Sequence, residues 1–75
     1  MSYHVEHTDT FAGEANYCWL RTYTIPGDPS RLSLIRKAKQ LTGLTGIRCR
    51  VDNYGDGYTL HPSGLCQVVF INWKE

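Results

Sequence analysis

Nowhere does the sequence approach the roughly eighteen consecutive apolar residues that a membrane-crossing helix needs. Its first ten residues, MSYHVEHTDT, have no basic region leading into an apolar stretch, so neither a bilayer span nor a secretion signal is expected. Cysteine is sparse: Cys18, Cys49 and Cys66 are widely spaced within apolar surroundings. An odd count without a C-x-x-C pair reads neither as a disulfide framework nor as a zinc site. The three are expected to be buried free thiols in a reducing cytoplasm. Charge is modest as well, with 20% charged residues and a net +1, beside 41% apolar residues. That balance excludes the polar, highly charged composition of disordered chains. Length is the last shortage. Seventy-five residues leave room for one domain, residues 1–75, and a chain of this size buries only roughly 60% of its extended-chain surface. A monomer or small homo-oligomer is expected.

The motifs of catalysis are missing too. There is no phosphate-binding loop, no G-x-S-x-G elbow and no H-E-x-x-H helix. His4 and His7 are three apart on a strand-like segment, which puts their imidazoles on opposite faces and argues against a shared metal. A cysteine nucleophile needs an electropositive, partly exposed setting. Cys49 lies between Arg48 and Arg50, but in a strand both arginines point away from it. Asp52 and Asp56 flank a turn and are explained by turn chemistry, while Glu6, Asp9 and Glu14 read as solvated surface. No catalytic residue, metal or cofactor is expected, and the chain reads as a non-enzyme.

What is present is one helix among strands. Asp28-Pro29 supplies an N-cap followed by proline at the first helical position, and Gly43 sits where a C-terminal cap belongs. The helix of about four turns between them gathers Leu34, Ile35, Ala38 and Leu41 on one side, with Leu32 at the margin. Ser33, Arg36, Lys37 and Gln40 fall opposite. Tyr3–Thr8 and Asn16–Ile25 read as strands joined through Phe11–Ala15. Ile47–Asp52 alternates apolar and charged residues as a strand covered on one face, Tyr58–His61 is a short strand, and Leu65–Trp73 is the longest apolar run, suited to the sheet centre. The expected fold is α+β: an antiparallel sheet of four to five strands with one amphipathic helix packed on one face, in the order β-β-α-β-β-β.

Charge is unevenly distributed. Residues 31–50 hold Arg31, Arg36, Lys37, Lys39, Arg48 and Arg50 without an acid, a net +6 between flanks of −3 and −2. Such a block is the usual footprint of a nucleic-acid or acidic-protein partner. If the helix packs over Ile47, Cys49 and Val51, however, Arg48 and Arg50 emerge behind the sheet, away from Arg36 and Lys37. In Tyr17–Tyr23 one side presents Tyr17, Trp19, Arg21 and Tyr23, and the other Cys18, Leu20 and Thr22. Either side can face the helix. With the Cys18/Leu20 side inward, an aromatic and arginine surface lies beside Arg48 and Arg50, suited to a protein hot spot or to base stacking. The turn from Asn53 to Tyr58 adds Tyr54 and Tyr58 at its rim.

Ser2-Tyr3-His4-Val5-Glu6-His7-Thr8-Asp9-Thr10-Phe11 and Gly46-Ile47-Arg48-Cys49-Arg50-Val51-Asp52 resemble segments of short uncharacterised proteins of bacterial genomic islands, plasmids and phages. Some proteins of that kind are anti-CRISPR inhibitors. The resemblance implies a non-enzymatic protein that binds a subunit of a CRISPR effector and blocks target recognition or nuclease recruitment. Several such inhibitors are acidic mimics of DNA, and a near-neutral chain departs from that pattern, leaving direct protein binding. The expected function is therefore a protein-binding module using Tyr17, Trp19, Arg21, Tyr23, Arg48, Arg50, Tyr54 and Tyr58. The alternative is a small nucleic-acid-binding regulator or RNA-directed toxin using Arg36, Lys37 and Lys39 or the aromatic face.

Overall fold

A computed structural model describes residues 1–74. Five strands and one helix follow one another as β1 (Ser2–Phe11), β2 (Glu14–Pro26), α1 (Arg31–Thr42), β3 (Cys49–Tyr54), β4 (Gly57–Pro62) and β5 (Gln67–Lys74). The strands form one antiparallel sheet in the order β2-β1-β5-β4-β3, so the α+β architecture expected from the sequence is the one found. The apolar run ending at Trp73 becomes β5, the central strand. No helix among the described residues is long and apolar enough to cross a membrane.

Local chemistry sets the connections. Phe11 pairs with Glu14, and the two residues between them, Ala12 and Gly13, have φ of 54° and 83°, the left-handed pair that a type I′ hairpin turn requires. Helix α1 runs for 12 residues, about three turns rather than four. Its N-cap is Ser30, not Asp28: the Ser30 hydroxyl accepts from the Ser33 amide at 3.4 Å, satisfying one of the free first-turn donors. Gly43 ends the helix as expected, with φ 74°. The Leu44 amide reaches back to the Lys39 carbonyl at 2.8 Å, and Leu44 itself is buried, a Schellman ending with its apolar anchor.

The helix links the two edge strands, β2 and β3, and must therefore cross a sheet face. Strand registers show which one. Tyr3 and Val5 stand opposite Ile25 and Tyr23 on one side and Trp73 and Ile71 on the other, while Leu60 stands between Val51 and Val69. Directly paired residues share a face. Of these, Val5, Ile25, Leu60, Val69 and Ile71 form the core together with Leu34, Ala38 and Leu44, with Tyr3, Tyr23, Cys49, Val51 and Tyr58 packed against it. Fully burying an aliphatic side chain contributes roughly 1.5–3 kcal/mol, and Val5, Leu34, Leu60, Val69 and Ile71 are each buried to about 1% exposure or less. By alternation His4, Glu6, Thr22, Thr24, Arg50, Asp52 and Phe70 lie on the opposite face, which has no helix over it.

Candidate functional site

The β1–β2 pairing is interrupted between Thr8 and Thr10. Thr8 pairs with Leu20, but Thr10 already pairs with Ala15, so four residues of β2, Asn16 to Trp19, stand opposite Asp9 alone. Asp9, expected as solvated surface, organises this bulge. Its carboxylate accepts from Asn16 Nδ2 at 2.9 Å and from the Cys18 amide at 2.8 Å. The Asn16 bond, with the backbone amide bonds of the bulge, holds the Asp9 carboxyl below its ordinary value against a smaller upward push from partial burial. Thr8, fully buried, donates its hydroxyl to the Trp19 carbonyl at 2.8 Å. Within this frame Tyr17 adopts φ 56°, a left-handed conformation that costs a non-glycine residue roughly 1–2 kcal/mol, and its side chain is 54% exposed.

Beyond the bulge lies a three-layer stack. The His7 ring, 3% exposed, meets the Trp19 ring edge-on at 4.7 Å and 86°, and the Arg21 guanidinium lies 5.5 Å from the Trp19 ring centroid. Both contacts are of the favourable aromatic and cation–π kinds. His7 Nε2 is 2.8 Å from Gln67 Oε1. The other ring nitrogen, Nδ1, is buried without a partner among the described residues.

The eight residues expected to form one contact surface are thus divided. The Tyr23 side of β2 faces the helix, and Tyr23 packs into the core; Leu20, Thr22 and Thr24 take the opposite face. That arrangement corrects the picture of Trp19, Arg21 and Tyr23 lying beside Arg50. Tyr17, Trp19 and Arg21 stay together on the hairpin arm. Arg50 lies behind the sheet, 3.4 Å from Asp52, whose same carboxylate oxygen is 3.0 Å from His61 Nε2. Arg48 is exposed in the segment before β3, its carbonyl accepting from the Ser63 amide at 2.9 Å. Tyr54 donates its hydroxyl to Asn72 Oδ1 at 3.3 Å, and Tyr58, one pairing step along and therefore on the other face, packs against the core. Of the alternative basic residues, Arg36 and Lys39 line a groove of about 280 Å³ with Leu32, Ile35, Thr45 and Gly46, and Lys37 does not.

The thiols also depart from expectation. Cys18 and Cys66 are exposed, and only Cys49 is partly covered. The Cys49 thiol donates to the Ile47 carbonyl at 3.6 Å, and burial raises its pKa despite the nearby Lys39 ammonium, so it is held as a neutral thiol rather than an activated nucleophile. No group of three His, Cys, Asp or Glu side chains among the described residues is placed to hold a metal.

One site escaped sequence reasoning. Tyr3, Asp28, Gly55, Asp56, Gly57, Tyr58 and Trp73 line a groove of about 260 Å³. The Tyr3 and Trp73 rings meet edge-on at 4.9 Å, and the Trp73 amide donates to the Asp56 carbonyl at 3.0 Å. Burial, reinforced by the negative charges of Asp28 and Asp56, pushes the Tyr3 phenol above its ordinary 10.0. Because Ser30 caps the helix, Asp28 is available to this groove. No local pattern announces the site, since Tyr3 and Trp73 meet only through the pairing of the first and last strands.

Comparison of the chain with family models, with curated proteins and with solved structures finds no match.

Proposed function

We propose that the chain is a non-enzymatic protein-binding module that docks through the bulged arm of the β1–β2 hairpin, with Tyr17, Trp19 and Arg21 as its contact residues. The observation that carries this reading is the bulge that Asp9 braces. Buried and hydrogen-bonded groups here hold a tyrosine outward in a costly backbone conformation. Such outliers persist where surrounding structure over-determines them, and they cluster at recognition sites. Tyrosine, tryptophan and arginine are also the residues that dominate protein–protein hot spots.

The arm suits a protein rather than a polyanion. Residues 14–26 hold one cation, Arg21, and one acid, Glu14, and Arg21 is already engaged over Trp19. Phe11, 74% exposed at the hairpin end, extends the apolar part of the surface. A standard interface of about 800 Å² per partner takes roughly a sixth of the 4824 Å² available. The resemblance of Ser2–Phe11 and Gly46–Asp52 to mobile-element accessory proteins directs the reading further, to an inhibitor of a host defence complex such as a CRISPR effector, acting in the cytoplasm.

Affinity capture from bacterial lysate with the tagged protein, split with and without nuclease, tests the reading. A stoichiometric partner that survives nuclease and disappears with Tyr17→Ala, at an unchanged melting temperature, supports it, and a defence-complex subunit as that partner supports the finer assignment. Retention of nucleic acid alone overturns it in favour of the Arg36, Lys37 and Lys39 surface. That alternative carries its own signature, a salt slope of roughly 0.7–0.9 per neutralised phosphate.

A further inference from the structure

We propose that the groove lined by Tyr3, Tyr58, Trp73, Asp28 and Asp56, distinct from the hairpin arm, is a binding site for an alkylammonium group. Tyr3, Tyr58, Trp73, Asp28 and Asp56 line a space of about 260 Å³, large enough to admit a small organic cation and open to solvent. Aromatic faces carry negative electrostatic potential, and rings grouped around a shared space are the usual means of holding quaternary or primary ammonium groups. The two carboxylates add net charge of the matching sign.

Three features separate this groove from an ordinary acidic surface. First, among the described residues the ion pairs are those of Asp52 with Arg50 and His61; Asp28 and Asp56 have no basic nitrogen in pairing range and keep their charge available to a ligand. Second, Tyr58 already attracts a cation: the Arg31 guanidinium lies 5.8 Å from its ring centroid. The potential at this ring is thus one that a positive group occupies, and Arg31 competes with any ligand for it. Third, Asp28 and Asp56 line the same groove as the Tyr3 ring, and after burial, the main cause, their negative charges help hold the Tyr3 phenol above its ordinary value.

The two carboxylates select charge, and the rings select an organic shell over a hydrated metal ion, whose water a ring face cannot replace. A lysine side chain of a polypeptide and a free small quaternary amine share this chemistry. Their sources are separated by using Nα-acetyl-lysine amide and choline as the two probes.

The test is titration of the full chain with each probe, followed through indole Nε1–H resonances, with Trp73 identified as the signal remaining in Trp19→Phe. The expected result is saturable movement of the Trp73 signal by choline or the lysine probe at millimolar concentrations. The uncharged isostere 3,3-dimethylbutanol leaves it in place. The double variant Asp28→Asn, Asp56→Asn weakens binding about tenfold, and Arg31→Ala strengthens it severalfold, as loss and gain of charge interaction of the cation–π scale require. The stronger probe assigns the source. Equal binding of the neutral isostere, unchanged affinity in the double aspartate variant, or no response to either cation overturns the proposal. The aspartates are exposed, so loss of the fold does not confound the result, and amide spectra of the same samples verify it.

Discussion

Asp9 and Asn16 face each other across the widest interruption of the sheet, the carboxylate accepting from the Asn16 side-chain amide at 2.9 Å while its other oxygen takes the Cys18 backbone amide at 2.8 Å. One acid thereby satisfies the backbone amide of Cys18 within the bulge and ties the Asn16 side chain to the same point. Because these bonds favour the ionised form, the Asp9 carboxyl binds a proton less readily folded than unfolded. Its contribution is complete above the ordinary value of 3.8 and is lost as pH falls through the lower, folded value. Acidification below pH 3.8 is therefore expected to loosen the Asn16–Trp19 segment before the core. Amide exchange at Cys18, measured between neutral and acid pH, checks this, and Asp9→Ala is expected to show the fast exchange at neutral pH.

Ala12 occupies the first position of the β1–β2 turn at φ 54°. A Cβ in this region costs roughly 1 kcal/mol or slightly more, and type I′ turns favour asparagine or glycine there. Ala12→Asn or Ala12→Gly is expected to stabilise the protein by about 1 kcal/mol, raising Tm by roughly 4–8 °C. Thermal unfolding followed by circular dichroism reads the difference directly. An unchanged or lowered Tm contradicts the assigned turn.

Signals confined to neighbouring residues were legible in the sequence. Gly43 could be placed as the helix end because only a left-handed residue suits that position, and the stripe of Leu34, Ile35, Ala38 and Leu41 follows from the helical period. The apolar run before Lys74 gave away its central place, since a strand flanked on both sides tolerates little polarity. What depended on distant pairing was not legible. Asp28 was expected as the N-cap, but Ser30 satisfies the same chemistry two residues later and is the one that supplies it. Whether Trp19 or Leu20 faces the helix is a matter of register, where a shift of one residue exchanges the faces. The bulge inserts extra residues without any glycine to announce it, and the Tyr3–Trp73 groove exists only because β1 and β5 become neighbours.

Trp19 covers His7, so its removal does more than strip a contact surface. Trp19→Ala exposes the imidazole to water, removes the edge-on ring contact and frees Arg21. For a partly buried indole a loss of about 2 kcal/mol is expected, lowering Tm by roughly 10 °C. Trp19→Phe retains a ring over His7 and should recover more than half of that loss. Tyr17→Ala, by contrast, removes a side chain that is mostly in solvent and leaves Tm near the wild-type value. Binding lost in Tyr17→Ala with stability intact separates recognition from packing, which Trp19 variants alone cannot do.

The Tyr3 phenol provides a probe of the acidic groove that is independent of any ligand. Burial raises its pKa first, and the Asp28 and Asp56 carboxylates raise it further, because a phenolate beside them is disfavoured. The folded protein consequently holds this proton more tightly than the unfolded chain. The corresponding stabilisation is present below the ordinary 10.0 and is lost as pH rises through the higher, folded value. Asp28→Asn is expected to move the Tyr3 titration down toward 10.0 without abolishing the shift, since burial and Asp56 remain. Titration of the Tyr3 ring carbon by NMR in wild type and variant measures this. An identical midpoint in the two proteins would place Asp28 too far from Tyr3 for the carboxylate to act on the groove, and would remove the electrostatic basis for a cation bound there.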